Sequence, residues 1–142
     1  MNTGTFWKCI FAWCCGVCSF LFGDMDGLFT ALLAFMVLDY ITGLIVGITQ
    51  KKLDSSVGFK GIAKKFFMLV IVAVGHILDA HVLGDGALCK SIVTGFYVAN
   101  EGISILENTA KIGVKYPKKL LEILKQLKSE SDSKKDGDGK DE

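Results

Sequence analysis

Residues 28–48 read LFTALLAFMVLDYITGLIVGI, an apolar run of 21 residues whose only charge is Asp39, near its middle. As a helix this run reaches about 30 Å, the thickness of one bilayer hydrocarbon core. A carboxylate at that depth costs about 2.5–3.5 kcal/mol unless it finds a polar partner or water. The run therefore reads as a membrane-spanning helix, and Asp39 as a group around which other helices gather.

Outward from it, the pattern repeats. The chain has 142 residues, of which 51% are hydrophobic, and the long apolar runs occupy its first three quarters. We expect an all-α membrane protein with about four transmembrane helices, at residues 5–22, 28–48, 66–83 and about 87–106. A three-span arrangement omits the first run. A helical domain over residues 1–110 is followed by a basic juxtamembrane helix (111–128) and a disordered charged tail (129–142) with no apolar residue. Residues 1–22 carry no A-x-A-like cleavage site and read as a retained helix.

Lysine fixes the orientation. Lys51, Lys52, Lys60, Lys64 and Lys65 lie between the second and third runs, and Lys111, Lys115, Lys118, Lys119, Lys125 and Lys128 follow the fourth. The turn between the first two runs carries only Asp24 and Asp26. By the positive-inside rule the middle loop and the C-terminus are cytoplasmic. Lys64 and Lys65 are expected to anchor the third run at the membrane surface. Pro117 stands at a helix start, with Leu120, Leu121, Ile123, Leu124 and Leu127 at helical spacing among lysines. Lys118, Lys119 and Lys125 then suit the anionic inner leaflet; a partner-binding helix is the alternative.

Polar residues inside the spans are the functional candidates. Asp39, Thr42, Gly43 and Gly47 share one face of the second span, and Gly43-x-x-x-Gly47 permits close helix approach. The bland alternative is a glycine seam within one chain, with Asp39 bonded locally. His76 and Asp79 share a face of the third span and stand within pairing distance, one turn apart. On the fourth, Ser91, Thr94, Gly95, Val98 and Gly102 form a small-residue face flanked by Glu101, while Asn100, Ser104 and Asn108 extend around the other side. We take Asp39, Thr42, Gly43, Gly47, His76, Asp79 and Glu101 as pore or oligomerisation candidates.

Other chemistry is not indicated. His81 lies about 140° around the helix from His76, which defeats a metal site. Cys15-x-x-Cys18 stands among Gly and large apolar residues with no second pair, so the five cysteines read as small apolar residues. There is no nucleophile with a base and no phosphate loop, so we expect neither an enzyme nor a cofactor. The lysines flank spans and do not form a nucleic-acid footprint.

Several short motifs resemble a known family in order and spacing. Asp39-Tyr40-Ile41-Thr42-Gly43 is followed by Ser55-Ser56 and by Gly61-Ile62-Ala63-Lys64-Lys65. Asn100 to Asn108 (NEGISILEN), then Gly113-Val114, Pro117 and Leu120-Leu121, complete the set. Together, over about residues 28–125, they resemble the toxin-secretion/phage-lysis holin family of Gram-positive bacteria and their phages. The resemblance implies a protein that oligomerises in the bacterial cytoplasmic membrane and opens lesions releasing an endolysin or a toxin, without required contact with that enzyme. The alternatives are an antiholin or other non-lytic membrane partner, and a small four-helix proton-coupled transporter.

Overall fold

A computed structural model describes residues 2–84 and 86–136. Its elements are all helical: α1 (Thr3–Phe22), α2 (Gly27–Thr49), α3 (Ser55–Leu78) with a π-helical extension (Asp79–Leu83), α4 (Leu88–Lys111) and α5 (Lys118–Asp136). The starts are set by side chains that accept orphan amide hydrogens. Asp26 accepts from the Phe29 N–H at 2.7 Å and Asp54 from the Ser56 N–H at 2.9 Å. The end of α2 is a left-handed turn in which Lys51 has φ 54°, and the Lys52 N–H closes back on the Gly47 carbonyl at 3.0 Å.

Phe29, Leu32 and Met36 of α2, Met68 and Val72 of α3, and Val98 of α4 form the buried core. α4 lies along both partners. A Cβ on Gly75 of α3 would meet the Cys89 and Lys90 backbone at 3.2 Å, so the two helices touch there. At its other end, Asn108 bonds to Asp39 and Thr42 of α2. In lipid such a seam is held by packing contact and hydrogen bonds rather than by release of water.

Among the described residues, three helical segments are long and apolar enough to cross a membrane: Thr3–Phe22, Gly27–Thr49 and Ser55–Leu83. The sequence reading named about four, and offered to drop the first. The structure keeps α1 among the apolar three; the helix that falls short is α4. It has 24 residues, but Lys90, Thr94, Glu101 and Asn108 are all buried in it. α4 is the helix that protein surrounds, so its polar residues face neighbours and lower its hydropathy without facing lipid.

Two further expectations are corrected. The juxtamembrane helix does not stand apart on a surface: α5 folds back antiparallel along α4. Leu124 lies at Gly102, and Leu127 and Ser131 at Gly95. Leu124 and Ser131 are buried there, and Lys128 donates to the Asn100 side chain at 3.2 Å. The segment from Ser129, expected to be disordered, continues as helix to Asp136. Ser131 and Ser133 bond their hydroxyls to carbonyls four residues back, at 2.9 and 2.8 Å, which keeps them compatible with the helix. Residues 137–142 lie outside the described residues. Pro117 precedes α5 by one residue, its carbonyl accepting from the Leu120 N–H at 3.0 Å.

Candidate functional site

Asp39 leaves α2 toward α3 and α4. Its Oδ2 is 2.8 Å from the Lys65 ammonium, which also pairs with Glu101 of α4. Asn108 donates to Asp39 Oδ1 and to Thr42 Oγ1, each at 3.2 Å, and the Thr42 hydroxyl turns back to the Asp39 carbonyl at 3.0 Å. Two carboxylates thus share one ammonium, all three side chains being 16% exposed or less. An ion pair this sheltered is held by geometry: removal of one partner typically costs about 3–5 kcal/mol. No buried side-chain nitrogen or oxygen among the described residues lacks a hydrogen-bond partner.

This cluster lines a cleft of about 880 Å³ between α2, α3 and α4, which Lys52 and Lys64 also line. Gly43 and Gly47 line it, with Asn108. A Cβ on Gly43 would stand 3.6 Å from the Asn108 amide, and one on Gly47 3.1 Å from the Leu53 side chain. Within the chain the glycine pair thus makes room for the Asn108 and Leu53 side chains.

A second polar cluster lies at the opposite end of the bundle. Asp79, 3% exposed, accepts the Cys89 and Lys90 N–H groups at 2.9 and 2.8 Å, capping the start of α4. The Lys90 ammonium, equally buried, bonds to the Asp24 carbonyl at 2.9 Å, pairs with Asp26 at 3.2 Å, and lies 5.3 Å from the Phe29 ring centre. The Phe29 N–H, with Lys90, holds the Asp26 carboxyl below its ordinary value. This pins the α1–α2 turn to α4.

The structure thus divides the predicted set. Asp39, Thr42, Gly43, Gly47 and Glu101 come together. Asp79 and His76 lie at the other end, and they do not pair: Asp79 is occupied by α4, while the His76 ring packs against Gly23, where a Cβ would meet it at 2.5 Å. Lys65, expected as a surface anchor, is the central cation; Lys64, Lys118, Lys119 and Lys125 are exposed. Asn108 and Lys90 were missed as site residues. An isolated lysine opening an apolar run, on the side of the acidic α1–α2 turn, was the available signal for Lys90. His81 is in edge contact with Phe20, 6.0 Å between ring centres.

The distribution of side chains decides the class. Asp79, Lys90 and Glu101 are buried, while Trp7, Phe11, Trp13, Val37, Phe66 and Phe67 are exposed, the reverse of a water-soluble globule. A family model described as the bacteriophage holin family matches residues 16–129. The chain belongs to that family. Among holin relatives, a protein of Bacillus phage phi105 named "Probable holin" is 35% identical over 120 residues, covering 84% of this chain and 87% of that one. Uncharacterized proteins of Clostridium perfringens (43% over 117 residues, 82% of this chain and 86% of theirs) and Listeria monocytogenes (45% over 108 residues, 76% and 74%) are similar as well. No solved structure matches. The family is not one of enzymes.

Proposed function

We propose that this chain is a holin acting in the bacterial cytoplasmic membrane, where copies assemble into lesions through which a cell-wall-degrading endolysin, or a toxin, escapes. The observation that carries the reading is the Asp39–Lys65–Glu101 cluster, held at a cleft inside a bundle whose α1, α2 and α3 expose large apolar side chains. Within one chain Lys65 and Asn108 offset most of the cost of burying Asp39, so the protein accumulates in lipid without damage. Two carboxylates for one ammonium leave the cluster short of positive charge, and assembly around water relieves that imbalance. In this reading the middle loop, the cleft and the turn between α4 and α5, all rich in lysine, face the cytoplasm. Membrane lipid and further copies of this chain are its physical partners; the endolysin needs only the hole.

The test is induced co-expression with a cytosolic endolysin that has no export signal. Abrupt lysis after a lag, absent when either protein is omitted, is the expected result. Continued growth with both present refutes the reading. Under the same conditions, delayed lysis by a second holin assigns the chain as an antiholin, and intact cells with altered drug tolerance assign a transporter.

A further inference from the structure

The molecule has two incompatible outer faces. On α1, α2 and α3 the exposed residues are large and apolar, including Phe11, Trp13, Val37, Ile48, Phe66 and Val74, a surface made for lipid. On α5 the exposed residues include Lys119, Glu122, Lys125, Glu130 and Asp132, a surface made for water.

The depth of α5 makes this significant. Gly95 and Gly102 lie on α4 between Lys90, which bonds at the α1–α2 turn, and Asn108, which bonds to Asp39 and Thr42. That interval runs alongside the apolar spans. Leu124 is at Gly102 and Ser131 at Gly95, so the charged face of α5 lies at hydrocarbon depth, where lipid excludes it. The docking is also specific: Lys128 bonds to Asn100 and stands 5.4 Å from the Phe96 ring centre, and Ser131 is buried. Leu120 and Ile123 are exposed in the first turns of α5, but beyond them Leu124 and Leu127 face α4 and Lys125, Glu130 and Asp132 turn outward, and charges turned outward at that depth require an aqueous space beside them.

We propose that α5 lines the water-filled lumen of the assembled lesion. Each copy presents α1–α3 to lipid and α5 to water, and copies close a ring by their flanks. This rests on the holin reading above and adds which residues face the passage: Glu122, Lys125, Ser129 and Asp132, one stripe of α5 at helical spacing. Charge on that stripe then sets which ions pass most readily.

The test uses the full chain in a background with its five cysteines replaced, carrying Gly95→Cys and Ser131→Cys, where a Cβ on Gly95 would stand 3.5 Å from Ser131 Oγ. It is reconstituted into vesicles of anionic and zwitterionic phospholipid. Lumen lining predicts that the oxidised, locked protein releases entrapped dye as fast as the reduced protein. In planar bilayers, Lys125→Glu in the locked form should raise the cation-to-anion permeability ratio about twofold or more, whereas Lys60→Glu should leave it unchanged. If locking abolishes release that reduction restores, α5 has to leave α4 for the lesion to form, and the proposal is overturned. An unchanged ratio with Lys125→Glu overturns it too. If reduced protein also releases nothing, the holin reading itself fails.

Discussion

Replacing Lys65 with Met separates a bundle held by its internal charges from one that merely tolerates them. Met keeps most of the side-chain length and removes the ammonium. Asp39 then keeps only the Asn108 bond, and Glu101, its side chain 4% exposed, loses the cation that faces it. Breaking a buried pair from one side costs about 3–5 kcal/mol. Partial access of water at Asp39, 16% exposed, places the expected loss near the lower value, about 3 kcal/mol, or roughly 100-fold in the folded-to-unfolded ratio. Neutralising the whole cluster with Asp39→Asn, Lys65→Met and Glu101→Gln leaves no uncompensated charge and should recover all but about 1 kcal/mol. The assay is reversible unfolding in mixed micelles by sodium dodecyl sulfate, followed by helical circular dichroism. A single variant within 1 kcal/mol of the parent protein, or a triple variant less stable than the single one, refutes the reasoning.

Asp79→Ala removes the cap of α4 and should cost about 1–2 kcal/mol, with faster amide exchange confined to Cys89 and Lys90; Asp79→Asn, which keeps one acceptor, should lose less. Gly23→Ala should destabilise by about 1–3 kcal/mol because the residue has φ 63° and ψ −144°, a region that is nearly glycine-only, and because its Cβ strikes His76. Adding His76→Ala should recover only the part due to the clash, read by thermal unfolding in detergent. The Asp26 carboxyl is held below its ordinary value of 3.8, first by the Phe29 N–H. Its stabilisation is therefore fully present above 3.8 and lost as pH falls through the lowered folded value. An acid unfolding series from pH 5 to pH 2 should lose that part of its slope in Asp26→Asn.

What the sequence carried is the chemistry of position along one helix. Hydropathy located α1, α2 and α3, because lipid selects apolar length irrespective of what neighbours do. The face holding Asp39, Thr42, Gly43 and Gly47 was legible for the same reason: helical spacing is a property of the chain itself. Partners across helices were not legible. Lys65 and Glu101 stand 26 and 62 residues from Asp39 along the chain, and a lysine beside a loop reads as a membrane flank until the rotation of α3 about its axis is known. Tertiary structure alone turned that ammonium inward, gave Asp79 to the start of α4 instead of to His76, and laid α5 along α4 instead of on the membrane surface. The physical reason is common to all three. Burying a charge is favourable only with a specific partner in place, and which partner arrives depends on how helices pack, a relation among segments that no one segment encodes.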